Sequence, residues 1–379
     1  MRGGLFQNWL NAGVVGFCLG ALPVLVWAQG TKAPDNPIIF PKVEQEELFL
    51  QAIEAFDDGN TNAMIRLMDN AVAMDATNHF AYIKRAQLYD LIGNNAHAAR
   101  DYSRALETVG LDKKYADVFQ MRGCAFFKLG NLRGAVSDWV NFLHLKPDKE
   151  PEHWQICVAY ALLGKCAEAR KQFEWHWTVN AKDMEVAFWH FLCVARTDGL
   201  AAAREKLMMV KGEKRVPMPT LYRLFKGEGS AAEVWLAVEQ GNPDEAERNQ
   251  REFFANYYLG LFYQAEGKLE SADELVGAAL EIAKSNAGYI GDSPGGQLRA
   301  GDIARVHHQQ LQLRLADKRA GEEAQAARDP LAEKIAYAAA GIGLVVLVGF
   351  GIVAQLRKRR DKFPEPEKPV AELAGKSST

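Results

Sequence analysis

Few stretches of this chain have the composition of a catalytic or cofactor site. GKS at 375–377 has the ending of a phosphate-binding loop, but Val370 stands where such a loop needs its first glycine. GEGSAA at 227–232 imitates a dinucleotide-binding fingerprint, yet no strand-like segment precedes it. We predict that neither stretch binds a nucleotide, and that the second is a loop before a helix carrying Trp235.

The histidines do not have the spacing of metal ligands. His307 and His308 are adjacent, so on a helix they point about 100° apart, and we expect both on the surface. WHW at 175–177 has two interpretations: an aromatic plug against a following helix with Trp189 and His190, which is favoured, or a ligand pocket. No catalytic triad, Cys–His pair or carboxylate pair recurs at a spacing that helices would bring together. The sequence predicts no catalytic residues, no metal and no cofactor.

Two apolar segments have the length of targeting or membrane-spanning elements. The segment 12–28 follows Arg2 and is typical of a secretory signal peptide covering 1–28, although it could also remain as a second span. The segment 335–356 is long enough to cross a bilayer as a transmembrane helix, and the four basic residues after it favour the cytoplasmic side. We therefore expect an exported part, one C-terminal anchor and a disordered cytoplasmic tail at 357–379.

Charge and cysteine content exclude some partners and leave one question open. The net charge of −3 provides no basic field, so we expect no nucleic-acid partner. Four cysteines follow the signal segment, all in helical patterns and none at metal-ligand spacing. We expect them to be small packing residues, with one disulfide possible: Cys124, Cys157, Cys166 and Cys193.

The exported part repeats, with glycines 34 to 37 residues apart at Gly59, Gly93, Gly130 and Gly164. Each glycine ends one helical pattern at a place that needs a positive φ, and a second helical pattern follows. Small residues seven before and five after the glycine let the two helices approach closely, and an aromatic residue four before it fills the space between hairpins. The small residues are Ala86, Gly123, Cys157 and Gly260 on one side and Ala98, Ala135, Ala169 and Ala272 on the other.

This order of small, aromatic, glycine and small residues resembles the tetratricopeptide repeat (TPR) family, as does Pro147 at the end of one unit. The resemblance implies an all-α fold in which helical hairpins stack as a solenoid over 44–284. The stretch 200–242 breaks the rhythm and is predicted to be an irregular middle. More distantly, the chain is similar to the NlpI-type membrane-anchored TPR lipoproteins, although it lacks their lipid-acceptor cysteine.

The remaining segments complete the predicted domain plan. Residues 29–43 are a linker, and 285–333 contain a loop, a capping helix over 302–316 and a juxtamembrane linker. Asn242 as an N-cap and Pro243 in the first turn predict a long helix that continues into the last repeat.

The TPR resemblance implies that partners bind to the first helix of each hairpin. Ile83, Gln120 and Trp154 stand where some family members use Lys and Asn to hold a carboxylate, so that clamp is not supported. We expect a groove that holds a helical or extended peptide by apolar anchors and amide hydrogen bonds. The candidate residues are Phe80, Ile83, Gln87, Gln120, Phe127, Trp154, Val158, Phe254, Tyr257 and Leu261.

The functional hypothesis is a non-catalytic, exported and membrane-anchored TPR scaffold that binds proteins or peptides of the cell envelope. By resemblance to the NlpI-type proteins, its clients could be cell-wall hydrolases or a protease. One alternative is a chaperone-like maturation factor that holds unfolded exported proteins, as in cytochrome assembly. A weaker alternative is a signalling or anchoring role for the cytoplasmic tail. Formation of a homo-oligomer is possible under each hypothesis.

Overall fold

The computed structural model describes residues 43–285 and 298–328. The predicted signal peptide at 1–28, the transmembrane helix at 335–356, the tail at 357–379 and the GKS stretch lie outside these residues. Within the described ranges the secondary structure is helical, without strands. The helices are α1 (Val43–Asp57), α2 (Thr61–Met74), α3 (His79–Leu91), α4 (Asn95–Val109), α5 (Ala116–Lys128), α6 (Leu132–Leu145), α7 (Trp154–Leu162), α8 (Cys166–Val179), α9 (Met184–Asp198), α10 (Leu200–Glu205), α11 (Met218–Lys226), α12 (Ala231–Glu239), α13 (Glu245–Ala265), α14 (Leu269–Ser285) and α15 (Ala300–Arg328).

Four hairpins form around the glycines named above: α1–α2, α3–α4, α5–α6 and α7–α8. A fifth, α13–α14, forms around Gly267, the last turn glycine. The turn glycines of these hairpins have φ between 74° and 79°, a backbone conformation that a larger residue would strain. In the first three hairpins an asparagine directly after the glycine caps the second helix, because its side-chain oxygen accepts a backbone N–H at the third position of the helix. The turn therefore stops one helix and starts the next within three residues.

The small residues allow the two helices of a hairpin to lie in contact. A Cβ added at Gly123 would lie 2.4 Å from Nε1 of Trp139, and one added at Gly260 would lie 2.7 Å from Cγ2 of Val276. The alanines at the facing positions of the second helices are fully buried. This confirms the role predicted for the small positions on both helices.

The irregular middle contains three short helices, α10, α11 and α12. Gly227 ends α11 in the left-handed conformation, and the Ser230 side chain accepts the N–H of Glu233 at the start of α12. The stretch 227–232 is thus a loop between two helices, as predicted. Phe225 of α11 stacks on Phe188 of α9, with ring centroids 4.2 Å apart, so the middle is held to the repeats by aromatic packing.

Helix α13 is the long helix expected before the last turn glycine, but its start differs from the prediction. Asn242 was predicted as the N-cap; instead, the Asp244 carboxylate accepts the N–H of Glu247 at 2.8 Å. Asn242 has a φ of 52° and lies in the turn before the helix. The N-cap prediction was wrong because an aspartate two residues later performs the same capping.

The chain divides into two compact units, Met1–His307 and His308–Thr379. The described part of the first unit holds α1 to α14 and residues 300–307 of α15, and that of the second holds the remaining residues of α15. Helix α15 continues beyond residue 316 to Arg328, into the segment predicted as a linker. The reason is composition, because Ala, Glu, Lys and Arg all favour a helix.

Candidate functional site

Four of the ten predicted groove residues keep part of their side chain exposed and lie on the first helices of consecutive hairpins. They are Phe80 and Gln87 on α3, Gln120 on α5 and Trp154 on α7. We call these four residues the first-helix surface.

Contacts between neighbouring helices connect this surface. The Gln87 amide Nε2 donates to Met121 Sδ at 3.7 Å, which joins α3 to α5. Nε2 of His153 lies 2.7 Å from Gln120 Oε1, which joins the residue before Trp154 to α5. The Gln87 and Gln120 amides are therefore held in place. In sequence order, Phe80 is the first and Trp154 the last residue of the first-helix surface.

His153 is fixed in one uncharged tautomer. Its Nδ1 accepts the backbone N–H of Ile156 at 3.3 Å and caps α7, so Nε2 must carry the proton that is donated to Gln120. Burial lowers the pKa of His153 to about 3. The side chain that holds the Gln120 amide is therefore polar, buried and uncharged.

The other six predicted groove residues are buried: Ile83, Phe127, Val158, Phe254, Tyr257 and Leu261. In this conformation their side chains contact the interior of the protein. The prediction that any of the ten residues binds a peptide is not tested by these contacts and stays a prediction.

A second face of the first unit is covered by residues 300–307 of α15. Nη1 of Arg305 donates to the carbonyl oxygen of Lys128, the last residue of α5, at 2.6 Å. The final carbonyls of a helix lack partners inside it and carry the negative end of the helix dipole, so a guanidinium is favoured there.

His307 binds to the same face, between α9 and α13. Its Nδ1 lies 3.3 Å from the Tyr257 hydroxyl and its Nε2 lies 3.1 Å from Gln264 Oε1. The Trp189 ring is 5.2 Å from the imidazole. We call Lys128, Trp189, Tyr257 and Gln264 the helix-receiving face.

The prediction that His307 lies on the surface was wrong, since its side chain is fully buried. Its partners Gln264 and Tyr257 are 43 and 50 residues away in sequence, so no local sequence pattern predicts these contacts. His308 is partly exposed.

Buried charges lie beside this face. Asp90 accepts a hydrogen bond from the Tyr102 hydroxyl at 2.8 Å, and burial raises the pKa of Asp90 to about 6 despite the opposing effects of Lys128 and this hydrogen bond. Burial also raises the pKa of Cys124 to about 12, with a contribution from Asp302 of α15. The Cys124 thiol is therefore protonated and unreactive at neutral pH.

All four cysteines of the described part are buried thiols, as expected for packing residues. In the WHW stretch, His176 is buried and its Nδ1 lies 2.8 Å from the carbonyl oxygen of Pro151, whereas Trp175 is exposed. The Trp189 ring, expected beneath this stretch, contacts His307 instead. Among residues 43–285 and 298–328, no group of three or more His, Cys, Asp or Glu side chains has the geometry of a metal site, and no helix could cross a membrane.

Comparison with known proteins gives likeness in structure only. No model of a known protein family matches the sequence, and no curated protein matches it. Solved structures of TPR proteins do match. The likeness of this chain to them is one of fold. A TPR protein from Parabacteroides merdae is 14% identical, with a TM-score of 0.46 over 72% of this chain and 100% of its own.

Two further structures are similar at lower TM-scores. The C-terminal part of a TPR repeat-containing protein from Cytophaga hutchinsonii is 18% identical, with a TM-score of 0.39 over 63% of this chain and 96% of its own. Pseudomonas aeruginosa pilF is 12% identical, with a TM-score of 0.34 over 64% of this chain and 93% of its own. At these TM-scores the likeness adds no argument to the repeat packing described above.

Proposed function

We propose that this chain is an exported, membrane-anchored and non-catalytic scaffold that binds a protein or peptide of the cell envelope on its first-helix surface. The observation that carries the proposal is the partial exposure of Phe80, Gln87, Gln120 and Trp154 on consecutive first helices. A few residues, often Trp, Tyr or Arg, supply most of the binding energy in a protein interface, which favours Trp154 as an anchor.

The polar groups of the surface favour an uncharged or weakly charged contact. The Gln87 and Gln120 amides carry no charge, and the buried His153 that contacts Gln120 is neutral. A helical or extended peptide with two apolar anchors, one for Phe80 and one for Trp154, fits this arrangement.

Export and anchoring are supported by the sequence. The segment 12–28 has the composition of a secretory signal, and 335–356 has the length of one membrane span followed by four basic residues. A tethered scaffold benefits from the high local concentration of other proteins in the same membrane.

A crosslinked pull-down of the full chain from its own membranes tests the proposal. The test variant carries Phe80→Ala and Trp154→Ala. A matched control carries Val140→Ala and Trp175→Ala, which removes one aliphatic and one aromatic side chain that are exposed on the second helices α6 and α8.

The proposal predicts one or two envelope proteins recovered in near-equal amount with wild type and control, and lost with the test variant. Recovery of many exported chains at low yield would instead indicate a holder of unfolded proteins. Equal recovery with all three proteins would show that the first-helix surface does not bind the partner.

A further inference from the structure

Residues 300–307 bind to the helix-receiving face through contacts that a helix from another chain could also make. Arg305 Nη1 donates to the Lys128 carbonyl at the C-terminus of α5. Nothing in this contact depends on the Arg305 backbone being part of the same chain, because a helix C-terminus attracts a cation from any source.

The imidazole position has partners for both ring nitrogens. In the neutral tautomer, Nε2–H donates to Gln264 Oε1, and the Tyr257 hydroxyl donates to Nδ1. Tyr257 and Gln264 are buried, so loss of the imidazole would leave two polar groups unpaired in the interior. The face therefore selects for an imidazole two residues after a guanidinium.

The bound helix is also selected for small side chains. Gly301 is buried and Ala304 is fully buried, so a larger side chain at either position would have to displace its surroundings. Asp302 stabilises the helix start, because its carboxylate accepts the backbone N–H of Arg299 at 3.1 Å and pairs with Arg305 at 3.3 Å.

We propose that residues 300–307 are an internal ligand, and that the helix-receiving face recognises a partner helix with the same pattern: small residue, arginine, then histidine two positions on. This inference rests on the proposed scaffold function and names a partner class for a second binding face. An external helix must displace the internal ligand. Its apparent affinity is therefore its intrinsic affinity multiplied by the fraction of molecules in which the face is uncovered.

The test uses the full chain and a fluorescent peptide of residues 299–312. The test variant, Arg305→Ala with His307→Ala in the full chain, weakens the internal ligand and leaves the receiving face intact. The peptide should bind this variant at least about tenfold more tightly than wild type. A control peptide with the same two substitutions should bind neither protein, and adding Gln264→Ala to the variant should abolish binding of the first peptide.

A measurement on the unmodified chain guards against misfolding of the variant. Excess peptide should accelerate amide hydrogen exchange at residues 300–307 of wild type, and the control peptide should not. Equal affinity for wild type and variant, or unchanged exchange, would overturn the inference. A concentration-dependent dimer of wild type that the peptide dissociates would overturn it too, because the occupant would then be a second copy.

The outcome is separable from that of the scaffold proposal. Suppose that wild type recovers a partner, that Phe80→Ala with Trp154→Ala loses it, and that the peptide fails to bind. This result would remove only the internal-ligand inference. Peptide binding without a recovered partner would leave the helix-receiving face as the main binding surface.

Discussion

Arg122 on α5 donates two hydrogen bonds to the Asp138 carboxylate on α6, from Nε to Oδ2 and from Nη2 to Oδ1, each at 2.7 Å. Arg85 and Asp101 form the same bidentate pair in the hairpin before it, at 2.6 and 2.9 Å. In both hairpins the arginine lies eight residues before the turn glycine and the aspartate eight residues after it. The pair is thus a repeated device that joins the two helices of a hairpin.

Removing one partner of this pair should destabilise the fold more than replacing both partners with apolar residues. Asp138 is 3% exposed, and burial raises its pKa even beside Arg122. Taking this charged pair out of water therefore costs free energy. Asp138→Ala leaves the guanidinium without its carboxylate and should lower the free energy of unfolding by about 3 kcal/mol. Urea unfolding followed by circular dichroism measures this change.

The double variant Arg122→Met with Asp138→Leu is the control, because it replaces both charges with apolar groups of similar size. It should recover most of the lost stability. A double variant less stable than Asp138→Ala would contradict this explanation.

Gly260→Ala should destabilise the last hairpin by about 1–3 kcal/mol, because the new methyl group overlaps Val276 Cγ2. Adding Val276→Ala removes that methyl partner and should restore part of the loss. Gly321→Ala in α15 is the matched control, since a Cβ there meets nothing within 4 Å, and it should be neutral or slightly stabilising. Thermal unfolding of the three variants decides the matter; equal melting of Gly260→Ala and wild type would refute close packing at this glycine.

The neutral state of His153 predicts an acid-sensitive contribution to stability. Its pKa is lowered from 6.5 to about 3 in the folded chain, so the unfolded state binds the extra proton between these values. The contribution is present above pH 6.5 and is lost as the pH falls below it. Asn can also cap a helix, so His153→Asn should lack this loss. Wild type should lose about 2 kcal/mol relative to the variant between pH 6.5 and 5, measured by urea unfolding at each pH.

Asp90 predicts that the free energy of unfolding changes with pH in the opposite direction. Its pKa is raised from 3.8 to about 6, so the folded state binds the extra proton and stability falls as the pH rises through this window. Its Oδ1 is buried without a hydrogen-bond partner among the described residues, whereas an asparagine carries no charge to desolvate. Asp90→Asn should therefore be more stable than wild type at pH 7.5, by up to about 3 kcal/mol, and similar to it at pH 4. Parallel pH profiles of the two proteins would contradict the assignment.

The sequence was sufficient for the hairpins because their signals are local. Gly93 and Gly130 need a positive φ, Asn94 and Asn131 cap the next helix, and the small positions recur at fixed distances from each glycine. The Arg–Asp pair was not predicted. The α7–α8 hairpin has Ile156 and Gln172 at the same positions, so the pair is not a property of every repeat.

The occupant of the helix-receiving face could not be predicted in this way. Arg305 contacts the carbonyl of Lys128 across 177 residues of sequence, and no periodic pattern connects the two. His307 next to His308 reads as two exposed polar residues unless Tyr257 and Gln264 are known to lie opposite. A single sequence predicts well which residues form helices. It predicts poorly which face of a helix is covered by a segment that is distant in sequence.

Site-specific photocrosslinking in the full chain, in its own membranes, tests the central claim most directly. A benzophenone side chain is placed at Trp154 on the first-helix surface and, separately, at Val140, which is 47% exposed on the second helix α6. The scaffold account predicts one or two envelope proteins crosslinked from position 154 and none of them from position 140. The same proteins crosslinked from position 140 alone, or equally from both positions, would contradict it.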